Sequence, residues 1–135
     1  MIFVDTGAFL ARHLARDEHH ESARRAWDEL ASKGWRVYTS NFVLDETFTL
    51  LARWVSYDFA AERADAILAS TSLEILRPDA DDDVSALDLF RKFGDQQVSF
   101  TDCVSFALMN RSGIARAFAF DRHFVHAGFE LWPVR

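Results

Sequence analysis

The chain begins Met1-Ile-Phe-Val-Asp5, a short apolar run that ends in an acid, and the same pattern returns as Ala117-Phe-Ala-Phe-Asp121. Each run suits a buried strand, so Asp5 is predicted at the carboxyl end of the first strand and Asp121 at the end of the fourth. Ligands of open parallel sheets bind outside the carboxyl ends of the strands. A carboxylate that ends a buried strand is costly unless it is paired or metal-bound. These two acids therefore predict a site at one edge of a sheet.

Between the two runs, strands alternate with helices. Helical spacing of apolar residues, capping residues and glycines such as Gly34 and Gly113 mark the helices, and short apolar or alternating runs mark the strands. The predicted strands are 1–5, 35–38, 73–76, 115–120 and 129–132, and the predicted helices are 6–14, 19–30, 41–54, 58–69, 82–93 and 99–109. The alternation predicts an α/β fold with a mostly parallel sheet of about four to five strands and helices on both faces.

The composition suits one soluble domain spanning residues 1–135, because half of the chain is apolar and it includes 13 Phe and 4 Trp. Cys103 is the single cysteine, so no internal disulfide indicates an oxidising compartment. The N-terminus does not resemble a signal peptide, and no apolar run is long enough for a membrane span. We therefore expect a cytoplasmic protein without a membrane partner. The net charge of −6 argues against a passive nucleic-acid coat, but a cluster of metal-binding acids remains compatible with it.

Asp102 is a third candidate for the same edge of the sheet. Ser99 precedes it by three residues, a spacing typical of a helix N-terminus, so Asp102 lies in the first turn of a helix. Helices that follow parallel strands begin where the strands end, which directs Asp102 towards the crevice. Taken alone, Asp102 is equally well interpreted as an ordinary acid of an N-terminal turn, where negative charge is favourable.

Glu46 is the fourth candidate and lies inside a predicted helix. Phe42, Val43 and Leu50 are about one turn away, so Glu46 borders an apolar stripe. The neighbouring Asp45 aligns with a more solvated line of residues. We therefore predict Glu46 rather than Asp45 as the acid that faces the site, and a surface glutamate is the alternative interpretation.

Four clustered carboxylates suit Mg²⁺ or Mn²⁺, which are hard cations that take oxygen ligands and retain several waters. Such a cation activates water and neutralises the charge that develops on a phosphate group. Without it the carboxylates repel one another, and one or more of them is expected to stay protonated.

The segments around these acids resemble the PIN domain, in particular the VapC-like toxins of bacterial type II toxin–antitoxin pairs. The segments are Ile2-Phe-Val-Asp-Thr6, Thr39-Ser-Asn-Phe-Val-Leu-Asp-Glu46, Ser99-Phe-Thr-Asp102 and Phe118-Ala-Phe-Asp-Arg-His-Phe124. Each is unspecific alone, because it is only an acid after apolar residues. Their order and spacing are typical of the family and cover nearly the whole chain.

The resemblance implies a PIN-like three-layer α/β/α sandwich and metal-dependent endoribonuclease activity with Mg²⁺ or Mn²⁺. It also implies an RNA substrate, a cognate antitoxin that blocks the site, and a toxin homodimer. A solitary PIN-domain nuclease in RNA processing is the alternative within the family. The residues it assigns are the catalytic and metal-binding acids Asp5, Glu46, Asp102 and Asp121, with Thr6 and Ser99 in support.

Other classes of function fit the sequence less well. A phosphoacceptor regulatory domain needs a lysine late in the chain, but neither Lys33 nor Lys92 follows an apolar strand. A binding module without catalysis has no specific support, because all four acids are present. Asp5-Thr-Gly7 matches the aspartic-protease triplet but leads into a helical pattern, whereas that chemistry needs an all-β fold. The histidines form no zinc motif. His123 is predicted to be a surface residue, with contact to the substrate as the alternative because it follows Asp121 closely, and Cys103 is predicted to be a small buried residue.

Overall fold

The sheet is fully parallel and has five strands in the computed structural model, which describes residues 1–134. The strands are β1 (Ile2–Val4), β2 (Val37–Ser40), β3 (Leu73–Leu76), β4 (Arg116–Phe118) and β5 (Glu130–Trp132). Their order is β3-β2-β1-β4-β5, and each neighbouring pair is parallel. The prediction of an α/β fold with a parallel sheet is confirmed.

Seven α-helices accompany the sheet in the described residues. They are α1 (Thr6–His13), α2 (His20–Lys33), α3 (Asn41–Trp54), α4 (Tyr57–Ala69), α5 (Ala80–Lys92), α6 (Phe100–Ser112) and α7 (His123–His126), with a 3-10 turn at Gly94–Gln96. Helix α1 contacts α2 and α3, and α3 contacts α4, while α5 packs along α6 and α6 contacts α7. The result is a three-layer α/β/α arrangement. Across residues 1–134, each helix is too short or too polar to cross a membrane.

Short polar side chains and glycines set the helix boundaries. The hydroxyls of Ser40 and Ser99 accept backbone N–H groups at the start of α3 and α6, and Asp79 does so for α5. Helices α2 and α6 end at Gly34 and Gly113, whose φ angles of 70° and 69° lie in the left-handed region that favours glycine. These glycine stops agree with the sequence prediction.

The core lies on both sides of the central strands. All three residues of β1 are buried, and Phe3, Phe9, Phe106, Phe118 and Phe124 are among its largest side chains. Helix α6 buries every residue from Asp102 to Met109. A helix buried on all sides needs mostly apolar residues all round, and the hydroxyl of the one internal polar residue, Ser105, donates to the Thr101 carbonyl within the helix. The carboxylate of Asp102 is thus embedded in the most buried helix of the described chain.

Two predicted strand boundaries are wrong, the end of β4 and the start of β2. Strand β4 ends at Phe118 rather than at residue 120, so Asp121 lies in a loop three residues beyond the strand. Phe118 pairs with Val4 and Trp132, which are themselves the last residues of β1 and β5, so neither neighbouring strand continues the ladder. The chain then forms the short helix α7, which was not predicted. Strand β2 is also displaced and begins at Val37 instead of residue 35.

Candidate active site

The four predicted acids come from segments that meet beside the central strands. Strands β1 and β4 are neighbours at the centre of the sheet. The chain places β2 and β3 on the outer side of β1 and then β5 on the outer side of β4, so the strand order reverses between β1 and β4. Ligands of open α/β sheets bind at such a reversal, outside the carboxyl ends. Asp5 follows β1 directly, and its backbone N–H donates to the carbonyl of Phe118 at the end of β4, 3.0 Å away. The hydroxyl of Thr39 also donates to the Val4 carbonyl at 2.8 Å, which ties β2 to this edge.

Asp5 is the deepest of the four acids and is only 5% exposed. Its pKa is raised well above the ordinary value, first by burial and then by the negative charge of Asp102. A hydrogen bond from the Thr6 backbone N–H acts in the opposite direction, while the charges of Asp121 and Glu46 raise the pKa further. The environment therefore disfavours a bare carboxylate at this position.

Asp102 lies in the first turn of α6, where its backbone N–H donates to the Ser99 hydroxyl at 3.0 Å. Burial raises the pKa of Asp102 to about 6, and the charge of Asp121 adds to this effect. A hydrogen bond with His123 and its charge lower the pKa, and Glu46 raises it. The neighbouring acids thus raise the pKa of both Asp5 and Asp102, in the direction expected from their mutual repulsion.

Glu46 and Asp121 complete the group from the more open side. Glu46 on α3 is half-buried, whereas the neighbouring Asp45 is exposed, which agrees with the choice made from the sequence. The Asp121 side chain is 41% exposed and lies at the mouth of the pocket. The structure thus brings all four predicted acids within electrostatic reach of one another.

The two predicted supporting residues contact the acids through their backbone and side chains. Ser99 caps α6 and so fixes the turn that carries Asp102. Thr6 donates its backbone N–H to Asp5, and its Oγ1 is buried without a hydrogen-bond partner among the described residues. A buried hydroxyl in this state suits an ordered water or a hydrated ion next to it.

His123 belongs to the pocket, a role that the sequence offered only as the alternative to a surface position. Its Nδ1 lies 3.1 Å from Asp121 and 3.4 Å from Asp102, and its side chain is 28% exposed. The prediction of a surface residue is wrong, because α7 folds back at the mouth of the pocket. Its position two residues after Asp121 was the available signal, but a four-residue helix carries too little periodicity to orient it.

The donor set fits a divalent cation. Asp102, Asp121 and His123 each offer one ligand atom, and these atoms lie within 4.8 Å of one another. The buried Thr6 hydroxyl and the raised pKa values of Asp5 and Asp102 fit as well, because positive charge relieves the repulsion. Carboxylate oxygens suit Mg²⁺ and Mn²⁺, and an imidazole nitrogen broadens the choice to other transition metals.

The remaining predicted groups lie elsewhere. Lys33 pairs with Glu29 and lies 5.3 Å from the Trp35 ring, and Lys92 lies 5.4 Å from the Phe93 ring. In these positions, neither lysine contacts the acidic pocket as a phosphoacceptor domain requires. Cys103 is fully buried as predicted, and burial raises the pKa of its thiol to about 11, which leaves it unreactive.

Known proteins resemble this chain in sequence along nearly its whole length. The family model of the PIN domain matches residues 2–130. The 23S rRNA-specific endonuclease VapC20 of Mycobacterium tuberculosis is 43% identical over 129 residues, which make up 96% of this chain and 95% of that protein.

Solved structures give the same result for the fold. The crystal structure of Mycobacterium tuberculosis VapC20, described as a sarcin-ricin loop cleaving toxin, has a TM-score of 0.87 at 40% identity and covers 96% of both chains. VapBC2 from Rickettsia felis, bound to a DNA fragment from their promoter, has a TM-score of 0.72 at 17% identity and covers 97% of both chains. At that lower identity the similarity concerns the fold alone.

Proposed function

This chain belongs to the PIN domain family, and from that membership we propose that it is a metal-dependent endoribonuclease that acts as the toxin of a toxin–antitoxin pair. The relative with 43% identity is named a 23S rRNA-specific endonuclease, and it aligns with 96% of this chain. RNA hydrolysis by such a toxin implies action in the cytoplasm.

The observation that carries the proposal is the convergence of Asp5, Glu46, Asp102 and Asp121 at the reversal point of the sheet. We assign these residues as the catalytic and metal-binding acids. Burial and mutual repulsion raise the pKa of Asp5 and of Asp102. A cation that enters the pocket relieves this repulsion, so its binding is favourable. When bound, Mg²⁺ or Mn²⁺ activates water and neutralises charge on the phosphodiester.

The residues of the chain prepare this chemistry. The Thr6 backbone N–H donates to the Asp5 carboxylate, which limits its reorganisation. The Asp102 backbone N–H donates to the Ser99 hydroxyl, which fixes the turn that carries Asp102. Asp121 stands at the mouth, where an extended phosphodiester has access. Asp5 and Asp102 therefore hold the cation from inside the pocket, and Asp121 holds it from the side that faces the incoming RNA.

The test is cleavage of RNA by purified wild-type protein and by the Asp5→Asn variant, with Mg²⁺, with Mn²⁺ and with EDTA. We expect cleavage that requires a divalent cation and falls at least about 100-fold in the variant. The exposed Asp45→Asn provides the matched control and should cut at the wild-type rate. Equal activity of Asp5→Asn and wild type would overturn the assignment of the site.

We propose 23S rRNA as the substrate class, by extension from the relative. Separate incubations with ribosomal RNA, tRNA and mRNA fragments test this choice. Cleavage restricted to the ribosomal substrate supports it, and selective cleavage of tRNA would contradict it while leaving the nuclease proposal intact.

A cavity of about 1020 Å³ supports an antitoxin as the protein partner. Residues from α1, α2 and α4 line it above β2 and β3, away from the residues of the acidic pocket. Arg12 lies 4.6 Å from the Trp27 ring, and Arg63 lies 4.8 Å from the Phe59 ring. Among residues 1–134, neither guanidinium group forms an ion pair within 4 Å, although the negative charge of Asp28 acts on Arg12. The Arg63 Nε is buried without a hydrogen-bond partner.

The same two arginines affect His13, which lines the cavity. Burial, followed by the charges of Arg12 and Arg63, lowers the pKa of His13 to about 4. A cavity with apolar walls and a buried guanidinium nitrogen of Arg63 that lacks a partner suits an apolar segment that carries an acidic side chain. We propose that the antitoxin supplies this segment.

The test is the affinity of the protein for a candidate antitoxin, taken from the gene that adjoins its own where one is found. We expect Arg63→Ala to weaken the complex at least about tenfold, whereas Arg53→Ala, an exposed arginine outside the cavity, should bind as wild type does. Equal affinities of both variants and wild type would contradict the assignment.

An exposed apolar stripe on α5 supports the homodimer. Val84, Leu87 and Phe90 are 62%, 41% and 43% exposed and follow one another at three-residue spacing on one side of the helix. A second copy of the chain that presents the same stripe buries both at once. Light scattering should give twice the chain mass for wild type and the monomer mass for Leu87→Glu; a monomeric wild type would contradict the proposal.

A further inference from the structure

His123 lies at the outer end of the acidic pocket and has no role in the function proposed above. Its Nδ1 is 3.1 Å from Oδ1 of Asp121 and 3.4 Å from Oδ2 of Asp102. Its backbone N–H also donates to Oδ1 of Asp121 at 2.8 Å, which fixes the start of α7 beside that acid. The imidazole is thus held against two carboxylates by the local backbone.

We propose that His123 supplies a nitrogen ligand to the divalent cation that Asp102 and Asp121 hold. The proposal rests on the metal-dependent function proposed above and adds a ligand of a different chemical kind. It places the cation at the outer end of the pocket, next to the opening through which a phosphodiester enters.

The distances among the three side chains match a shared ion. Ligand atoms about 2.1 Å from an octahedral ion are about 3 Å apart when adjacent and about 4.2 Å apart when opposite. The separations of 3.1 Å and 3.4 Å from Nδ1 fall in the adjacent range, and the ligand atoms of all three residues lie within 4.8 Å of one another. Small rotations of the side chains are therefore enough to coordinate an ion.

Hydrogen bonding alone does not give Nδ1 of His123 and both facing carboxylate oxygens a partner at the same time. The Nδ1 atom carries at most one proton, but it faces an oxygen of each of two carboxylates. The 3.4 Å separation from Asp102 is also long for an N–H···O bond. A cation accepts lone pairs from both oxygens and from the nitrogen at the same time, so it satisfies all three groups.

A nitrogen ligand has a consequence for the choice of metal. Oxygen ligands suit Mg²⁺ and Mn²⁺ alike, but a nitrogen ligand favours first-row transition metals over Mg²⁺, and their affinity rises from Mn²⁺ to Co²⁺. We therefore expect the wild-type protein to bind Mn²⁺ and Co²⁺ more tightly than Mg²⁺, and His123 to account for much of the difference.

The experiment measures metal binding directly, by titration calorimetry with Mn²⁺ and Mg²⁺ and by the visible absorption spectrum of bound Co²⁺. His123→Ala should weaken Mn²⁺ binding about tenfold or more, affect Mg²⁺ binding less, and change the Co²⁺ spectrum. His123→Asn returns an oxygen near the Nδ1 position, so it should bind Mg²⁺ as wild type does without recovering the Co²⁺ spectrum. His126→Ala is the matched control, because this exposed ring lies on the same short helix, 6.5 Å from the His123 ring.

Asp102→Asn distinguishes the role of His123 from the proposed metal site itself. Loss of Mn²⁺ binding in Asp102→Asn together with wild-type affinity and spectrum in His123→Ala would overturn the role of His123 and leave the acidic site in place. Unchanged binding in Asp102→Asn as well would overturn both this inference and the proposed metal site. Equal effects of His123→Ala and His126→Ala would count against a specific ligand.

Discussion

Asp102 carries opposing requirements at a single residue, because it lies in a buried helix and yet has to be ionised to hold a cation. Its pKa in the folded protein is about 6, compared with an ordinary value of 3.8. The folded state therefore binds the proton more tightly than the unfolded chain does. Between about pH 4 and pH 6 the free energy of unfolding falls as the pH rises, and the stabilisation is lost above the folded pKa.

Asp102→Asn removes this titration, since the amide stays neutral. Without divalent cations, we expect the variant to match wild type near pH 4 and to exceed it at pH 7 by up to about 3 kcal/mol, the equivalent of a two-unit shift in pKa. Urea unfolding in EDTA from pH 4 to pH 7.5 measures the difference. The exposed Asp45→Asn should leave the pH dependence unchanged, and an Asp102→Asn protein that is less stable than wild type at pH 7 would refute the expectation.

Helix α6 depends at its first turn on Ser99, whose hydroxyl accepts the Asp102 N–H. Ser99→Ala should lower the free energy of unfolding by about 1 kcal/mol, as loss of a helix cap generally does, and should also reduce RNA cleavage because the turn that carries Asp102 loosens. Ser99→Thr keeps the hydroxyl and should retain both properties.

Ser56→Ala separates stability from activity. Ser56 caps α4 through an equivalent bond to the Phe59 N–H at 3.1 Å, but α4 carries none of the four acids. Its loss should therefore cost a similar free energy of unfolding without reducing cleavage. If Ser56→Ala impaired cleavage as strongly as Ser99→Ala, a general loss of stability would explain both.

Helices α5 and α6 are joined by Asp82, which is 4% exposed and forms a reciprocal capping box with Asp79. The Nε of Arg111 on α6 lies 2.8 Å and 3.1 Å from the two Asp82 oxygens. Burial alone raises the pKa of Asp82, but the hydrogen bonds from Arg111 and from the Asp79 turn lower it below the ordinary value. Its contribution to stability is therefore present above about pH 4 and is lost as the pH falls through the folded pKa.

Asp82→Ala should lower the free energy of unfolding at pH 7 by about 2 kcal/mol, a value reduced by the partial exposure of Arg111. Thermal or urea unfolding at pH 7 and at pH 3 provides the measurement, and the difference from wild type should shrink at the lower pH. Asp83→Ala alters an exposed acid in the same turn and should change stability little. A deficit that grows towards low pH would show that the ion pair is not its source.

The elements that the sequence predicts best are those with local signals. Gly34 and Gly113 mark helix ends, Ser99 marks a helix start, and the apolar run before Asp5 marks β1. The end of β4 was not predictable in the same way, because it depends on where β1 and β5 stop. For this reason the apolar residues 119 and 120 were assigned to a strand, α7 was missed, and His123 was placed at the surface.

At the scale of the whole molecule, the acidic pocket is built from the end of β1, α3, α6 and the loop after β4. Repulsion among its acids therefore destabilises the folded state as a whole. The molecule carries a net charge of −6, and burial together with neighbouring acids raises the pKa of Asp5 and Asp102. A cation that binds only the folded state removes this repulsion and stabilises the native state in proportion to its occupancy.

At a Mn²⁺ concentration of about 100 times Kd, this linkage predicts a stabilisation of about 2.7 kcal/mol. For a domain of this size, the unfolding temperature should rise by roughly 5–15 °C. Calorimetry in EDTA and in Mn²⁺ measures the rise, and NaCl at matched ionic strength should give only a small part of it, because screening acts on exposed charges more than on buried ones. Asp102→Asn should start from a higher unfolding temperature in EDTA at pH 7 and gain less from Mn²⁺. An equal rise in that variant would mean that the ion binds somewhere other than the pocket. A higher unfolding temperature in EDTA together with a smaller rise in Mn²⁺ would show that the repulsion among the acids arises at the metal site.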